Sequence, residues 1–496
     1  MTIKAFHKKL TLIIAFVLCA GLFGAVGMTH ASIEPTATNK VPLVLQDATV
    51  VDVRTGELIE DQTIIVTGNR ISYIGDNDEV TLPKHAQVRN ASGQYVIPGL
   101  WDMHVHLDHD HEHAFPLLLG NGVTGVRDMG APLNDIDKWK NVIKKGMSAP
   151  RIIYAGSTIF QFKGNLEAPH VINVKSEKEA REAVRTNASK GADFLKVYSY
   201  KTPAIYAAIV DEAKKYRLPI AGHLPMPVRA IDAVRAGQKS IEHMYGLFIA
   251  TSSKEAEFLG KADYEDRYYE YEILAEKHYD PKRAERLFNI FVQNEVYQVP
   301  MLITEKNELK SKIDSRAIYV PTAFQKAWIK MIKGAEPDKM TADYVKIKDG
   351  MVKKMNDAGV PILAGTDSDF ELTNLIYGVS LHDELQLLVE NGLSPLQALQ
   401  TATLNPAKYM ERVYELGTVE EGKLADLVLL KANPLEDIRN TTRISAVIYN
   451  GKLIEKKELE KSIKTYELVK MEDVKVEPSP PHKPKSSSHH HGLHSH

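Results

Sequence analysis

The stretch Val96-Ile-Pro-Gly-Leu-Trp-Asp-Met-His-Val-His-Leu-Asp108 constrains this chain more than any other. Read as a strand, its period of two puts Asp102, His104 and His106 on one face and turns Met103 and Val105 the other way. Two imidazoles one residue apart on a strand can grip a single metal ion, because neutral imidazole is a ready ligand. A lone His-x-His is more often a pair of half-buried strand histidines. Here the rest of the chain supplies matching residue types in order, each at the end of a predicted strand.

With 496 residues the chain exceeds one small core and predicts two or three domains. A formal net charge of −2, without a long basic run, gives no electrostatic case for nucleic acid. Lys4, His7, Lys8 and Lys9 precede an apolar run from Leu10 to Met28, then Thr29-His30-Ala31. That order predicts a secretory signal peptide over residues 1–31, hence a secreted or periplasmic protein with no stable membrane association after cleavage. An uncleaved anchor is the second reading, since the run approaches the length of a membrane span. Cys19, the single cysteine, lies mid-run, so the mature chain would carry neither a disulfide nor a thiol nucleophile.

Beyond a linker at 32–40, residues 41–96 read as short strands with turns at Thr55-Gly56 and Gly68-Asn69. From there to about residue 405, predicted strands alternate with helical stretches, the signature of a (β/α)8 TIM barrel. The eight strands are the histidine strand, Gly122 to Asp128, Arg151 to Ala155, Asp193 to Tyr198, Pro219 to His223, Lys239 to His243, Tyr297 to Leu302 and Pro361 to Asp367. Residues 251–295 and 304–350 are long helical insertions around the seventh strand, read either as lids or binding elements or as solvated decoration. More strands follow at Lys423 to Leu430 and Ile444 to Lys452 within 406–460. The tail 474–496, ending Ser488-His-His-His-Gly-Leu-His-Ser-His496, predicts disorder with weak metal capture as an option.

Lys196 faces the barrel interior with Phe194 and Tyr198 if that strand is regular. Desolvation there favours the neutral amine, which can react with carbon dioxide to give a two-oxygen anionic carbamate. His223 and His243 end strands five and six at the C-terminal face, where barrel enzymes keep their chemistry. Strand periodicity points Glu242 away from His243, toward a strand–helix contact. Asp367, with Asp369 as competitor, offers a carboxylate that touches metal and takes a proton from water. Tyr198, Tyr245 and Arg127 are candidate substrate-binding residues, arginine because it grips a carboxylate with two parallel bonds. Arg127 and Asp128 could equally tie a loop. His170 and the polar run from Asp108 to His113 have no assigned role.

Pro98-Gly-Leu-Trp-Asp-Met-His-Val-His106 resembles the first barrel strand of the amidohydrolase superfamily, and Gly422-Lys-Leu-Ala-Asp-Leu-Val428 is similar to its closing strand. The branch it resembles contains imidazolonepropionase-like proteins and Xaa-Pro dipeptidases. The resemblance implies a composite β-sandwich built from both chain ends beside the barrel. It implies two divalent metals, with His104, His106 and Asp367 at a buried ion, His223 and His243 at an outer one, and carboxylated Lys196 between. Asp367 holds the family's Gly-Thr-Asp position, and no position departs from the binuclear pattern. Zinc suits the imidazole-rich outer position, while manganese, cobalt and iron also suit the oxygen ligands.

The function expected is an exported binuclear amidohydrolase cleaving an amide bond, in a dipeptide or N-acyl amino acid, with a metal-bridging hydroxide. A lactone or phosphoester hydrolase on the same site is the second reading, and a non-catalytic binding protein on this fold the third. The partner is a small molecule or dipeptide, and a homo-oligomer is left open.

Overall fold

The computed structural model describes residue 33 and residues 41–76, 80–107, 111–162, 168–198, 202–261, 267–334 and 338–475. The expected leader at 1–31, residues 476–496 of the expected tail, and Asp108 to Asp110 of the polar run lie outside the described residues.

Strand and helix alternate from residue 100 onward, and the strands close on one another. Leu100–Val105 runs parallel to Val123–Asp128, which runs parallel to Arg151–Tyr154. Asp193 N donates to Tyr154 O at 2.9 Å, linking the third strand to the fourth, Leu195–Val197. That strand pairs in parallel with Ile220–Gly222, and a bridge between Ile220 and Gln238 leads to Ser240–Glu242. Ser240–Glu242 pairs with Tyr297–Val299, and Gln298 bridges Ile362. Residues 361–367 return to the first strand, where Met103 N donates to Ala364 O and Asp367 N to His104 O. The eight segments thus form a closed parallel barrel whose strands are buried on both faces, as parallel strands walled by helices must be. A short parallel pair, Thr158–Phe160 with Val171–Asn173, extends the third loop and had no signal in the strand pattern.

Both ends of the chain build one eight-stranded sheet. Leu43–Val51, Leu58–Thr67, Arg70–Asp76, Gln87–Asn90 and Tyr95–Pro98 come from the N-terminal side. Leu427–Leu430, Ile444–Tyr449 and Lys452–Glu455 come from the far end. Leu427–Leu430 runs antiparallel to Tyr95–Pro98, the strand that leads straight into the barrel. Ile71 N donates to Lys423 O and Gly422 N to Ile71 O, so the sheet wraps back on itself around a core of Leu43, Leu45, Ile64, Val96, Leu427 and Ile448. Asp426 stitches sheet to barrel: Arg151 Nε donates to its Oδ2 at 2.6 Å and Asn450 N to its Oδ1 at 3.0 Å, with both side chains of the ion pair buried. Asp426→Ala removes that carboxylate from a buried guanidinium, so a loss of about 3–5 kcal/mol is expected, read as a lower denaturation midpoint.

The two insertions are helical, as their composition predicts. Tyr268–Glu276 and Pro281–Gln293 lie in the first, and Thr322–Gly334 and Lys339–Asp357 in the second. Asp280 starts its helix by accepting from Lys282 N and Arg283 N, with Pro281 in the first turn. Neither insertion is a solvated ornament. Trp328 is buried and its Nε1 donates to Phe370 O, three residues past Asp367. Among the described residues no helix is long and apolar enough to cross a membrane.

Candidate metal centre

The barrel brings His104, His106, Lys196, His223, His243 and Asp367 together at the ends of its strands. Asp367 lies at the centre. Its Oδ1 stands 3.1 Å from His104 Nε2 and 3.3 Å from His106 Nε2, and its Oδ2 4.0 Å from His243 Nε2. Lys196 Nζ lies 3.4 Å from His104 Nε2. The rings of His104 and His243, and those of His243 and His223, are each 5.1 Å apart by centroid.

Local backbone explains how short strands aim these groups. His104 lies on the inward face of Leu100–Val105, and His106, one residue past its end, turns to the same side. His243 and Asp367 instead follow their strands in the left-handed region, each with φ +57°. A non-glycine residue held there costs on the order of 1–3 kcal/mol, a strain typical of functional positions. Gly222, at φ +125°, precedes His223 where an added Cβ would stand 2.0 Å from Val197 O. Only glycine lets that strand end bend close enough to bring the imidazole in.

Burial sets the protonation of the cluster. It lowers Lys196 to about 8, although Glu242 and Asp367 oppose it. It holds His223 and His243 well below the ordinary imidazole value, and His106 lower too. Burial alone would raise Asp367, and the charge that His104 and His243 carry when protonated would pull it well below its usual range. Asp102, under the eighth segment, accepts from Thr366 Oγ1 at 2.6 Å and Thr366 N at 3.1 Å, and burial pushes it up to about 7. It braces the turn that carries Asp367.

The donor set fits a divalent metal. His104 Nδ1 faces the Glu242 carboxylate at 2.8 Å and His106 Nδ1 faces Gly130 O at 3.3 Å, both acceptors only. Each ring's Nδ1 is therefore its donor, and in the neutral imidazole Nε2 presents a lone pair. Those two lone pairs and an Asp367 oxygen converge, with all three ligand atoms within 4.8 Å of one another. Acceptors aimed at acceptors repel unless a cation lies between them.

Two expectations from sequence are corrected. Arg127 does not reach the barrel mouth for a substrate carboxylate. It is fully buried toward the strand starts, donating to Met103 O, Ser240 Oγ, Tyr409 OH and both Glu242 oxygens. Glu242 does not point outward to a helix. The regular strand ends at Glu242, which faces inward with Ser240, and the left-handed turn at His243 brings the next side chain inward as well. Alternation fails across that turn. The Ser-Ile-Glu-His order held the signal, but only a backbone angle reveals it.

Tyr198 and Tyr245 do reach the centre, with ring centroids 4.1 and 4.3 Å from that of His223. Asp369 does not hold Asp367's place: its Oδ1 accepts from Glu371 N at 2.7 Å in the following turn. Asp128 ties a loop, accepting from Leu107 N and Gly130 N. His170 contributes its carbonyl to Thr158 N, and His113 bonds Tyr466 OH. Sequence reasoning also missed the insertions' grip on the centre. Tyr344 OH donates to His243 O at 3.3 Å and bonds Tyr268 OH. Outside the insertions, Tyr377 OH donates to His106 O at 2.6 Å.

The Amidohydrolase family model matches residues 95–454, well over half of the chain. The chain belongs to the amidohydrolase family. Membership makes it a hydrolase acting on carbon–nitrogen bonds. This amidohydrolase is 23% identical over 466 residues to ochratoxinase of Aspergillus niger, covering 80% of this chain and 84% of that one. It is 23% identical over 441 residues to imidazolonepropionase of Alkaliphilus metalliredigens, covering 81% and 92%. Its fold is similar to that of a Xaa-Pro dipeptidase with bound methionine in the active site, with TM-score 0.62, 23% identity, and 84% and 100% of the two chains covered. The crystal structure of A. niger ochratoxinase gives TM-score 0.60, 18% identity, and 84% and 96% covered.

Proposed function

We propose that this amidohydrolase is an exported binuclear enzyme that cleaves an amide bond in a dipeptide or N-acyl amino acid. The observation that carries the reading is the convergence of His104, His106 and Asp367, with Lys196, His243 and His223 beside them, at the strand ends of a closed barrel. His104, His106 and Asp367 would hold one divalent ion and His223 and His243 a second. Lys196, as a carbamate, would lie between them. Bound divalent ions supply charge that polarises a carbonyl and lowers the pKa of water to roughly 7.

The chain's own groups do the rest. The enclosed Lys196 amine attacks carbon dioxide, forming the N–C bond and releasing a proton, so the side chain becomes an anion. Asp367 accepts the proton of the attacking water at its carboxylate and delivers it to the leaving amine. Tyr198 and Tyr245 flank His223 with two ring faces against which substrate can lie. A Xaa-Pro dipeptidase and an ochratoxinase among the fold relatives support a small amide substrate. The charged, apolar and small-residue order of residues 1–31 supports export.

The test is turnover of metal-reconstituted protein on a panel of dipeptide, N-acyl amino acid, lactone and phosphotriester. Amide cleavage that chelation abolishes and zinc restores is expected. Turnover confined to the lactone or the phosphotriester would overturn the substrate class, and none on the whole panel would overturn the enzyme reading. N-terminal sequencing of protein from the source cell should find cleavage near Ala31; a mature chain starting at Met1 would contradict export.

A further inference from the structure

Glu242 has no part in the proposed reaction, yet its carboxylate is fully enclosed and committed on both oxygens. Oε1 accepts from Ser240 Oγ at 2.5 Å and Arg127 Nη2 at 2.9 Å. Oε2 accepts from the same guanidinium nitrogen at 2.9 Å and faces His104 Nδ1 at 2.8 Å. Arg127 is itself fixed. It donates to Met103 O and Tyr409 OH, and its guanidinium carbon lies 5.0 Å from the Tyr409 ring centroid.

We propose that Glu242 is a positioning residue for the metal centre, locking His104 as the Nδ1–H tautomer with its Nε2 lone pair turned to the metal, and that Arg127 clamps the carboxylate for this task. The inference rests on the metal-centre reading above. An ionised carboxylate only accepts, so the nitrogen facing it must carry the proton. The opposite nitrogen is the one 3.1 Å from Asp367 and 3.4 Å from Lys196. A purely structural ion pair needs two partners. Here Oε2 divides between the guanidinium and the imidazole, at distances of charge-assisted bonds. His106 receives the same service from a neutral carbonyl at 3.3 Å, so the stronger hold is on His104. Such carboxylate–histidine–metal relays fix ring orientation, and their loss costs about ten- to a hundredfold in metal affinity.

Removing Glu242 alone would strand a buried guanidinium, so the test compares two double variants. Arg127→Met/Glu242→Gln keeps an oxygen that accepts from His104 Nδ1–H, whereas Arg127→Met/Glu242→Met removes it. Zinc affinity is measured against a competing chelator, beside the wild type. The methionine variant is expected to bind about ten- to a hundredfold more weakly than the glutamine variant. Equal affinities in the two would overturn the positioning role alone. Wild-type protein that takes up no zinc would overturn the metal-centre reading and this inference together. If either variant fails to fold, nitrogen-15 spectra of histidine-labelled, zinc-loaded wild type decide, with His104 assigned by loss of its signal in His104→Gln. An Nδ1–H tautomer supports the proposal, and an Nε2–H tautomer overturns it.

Discussion

Lys196→Ala is expected to lose nearly all activity, by roughly a thousandfold or more, or about 4 kcal/mol of transition-state stabilisation. The lysine head is enclosed at 2% residue exposure, 3.4 Å from a histidine nitrogen of the centre. Truncation would delete the proposed carbamate and leave a gap for two carboxylate oxygens beside His104. Acetate or propionate can enter that gap and present its oxygens where the proposed carbamate would hold them, so activity should partly return. An alkylamine should not help, because it restores nitrogen without the anion. His104→Ala is the control, since carboxylate rescue of that variant would mean only general metal delivery. Rescue of Lys196→Ala by an amine, with metal content unchanged, would contradict the bridging role.

The second large effect is on stability. Arg127→Met leaves the Glu242 carboxylate buried without its cationic partner, and losing one half of a buried pair typically costs about 3–5 kcal/mol. Arg127 holds Glu242 down to about 2 against the upward push of burial, with His104 the weaker contributor. The midpoint of chemical unfolding should therefore fall sharply. In Arg127→Met/Glu242→Met the stability should largely return, because the two side chains are coupled rather than additive. Had Arg127 held a substrate carboxylate, its loss would raise KM and leave unfolding unchanged. That pattern would contradict the placement described here.

Strand periodicity made the barrel legible. Val123–Asp128, Arg151–Tyr154 and Tyr297–Val299 are short segments rich in β-branched and aromatic residues, and each forms a strand where expected. His104 and His106 are legible because residues two apart turn to one side even at a strand end, although pairing with the second strand shifts register between Asp102 and Val105. Periodicity stops where a strand stops. Glu242 was misassigned because His243 lies one residue past a strand end at positive φ, and Arg127 because burial depth along a strand leaves no trace in alternation. The bonds from Tyr344 to His243 and from Trp328 to Phe370 span about a hundred and about forty residues, as the separations of 101 and 42 show. Composition marks those insertions as helical and aromatic, but not which strand end they reach.

The proposed centre stands or falls on its ions. Elemental analysis of purified protein, stripped of metal and reconstituted with zinc in bicarbonate, tests it most directly. Four histidines around Asp367 and a lysine enclosed beside them predict two divalent ions per chain, falling below two in Lys196→Ala. One ion or none in the wild type, reproducibly after reconstitution, would contradict the binuclear account.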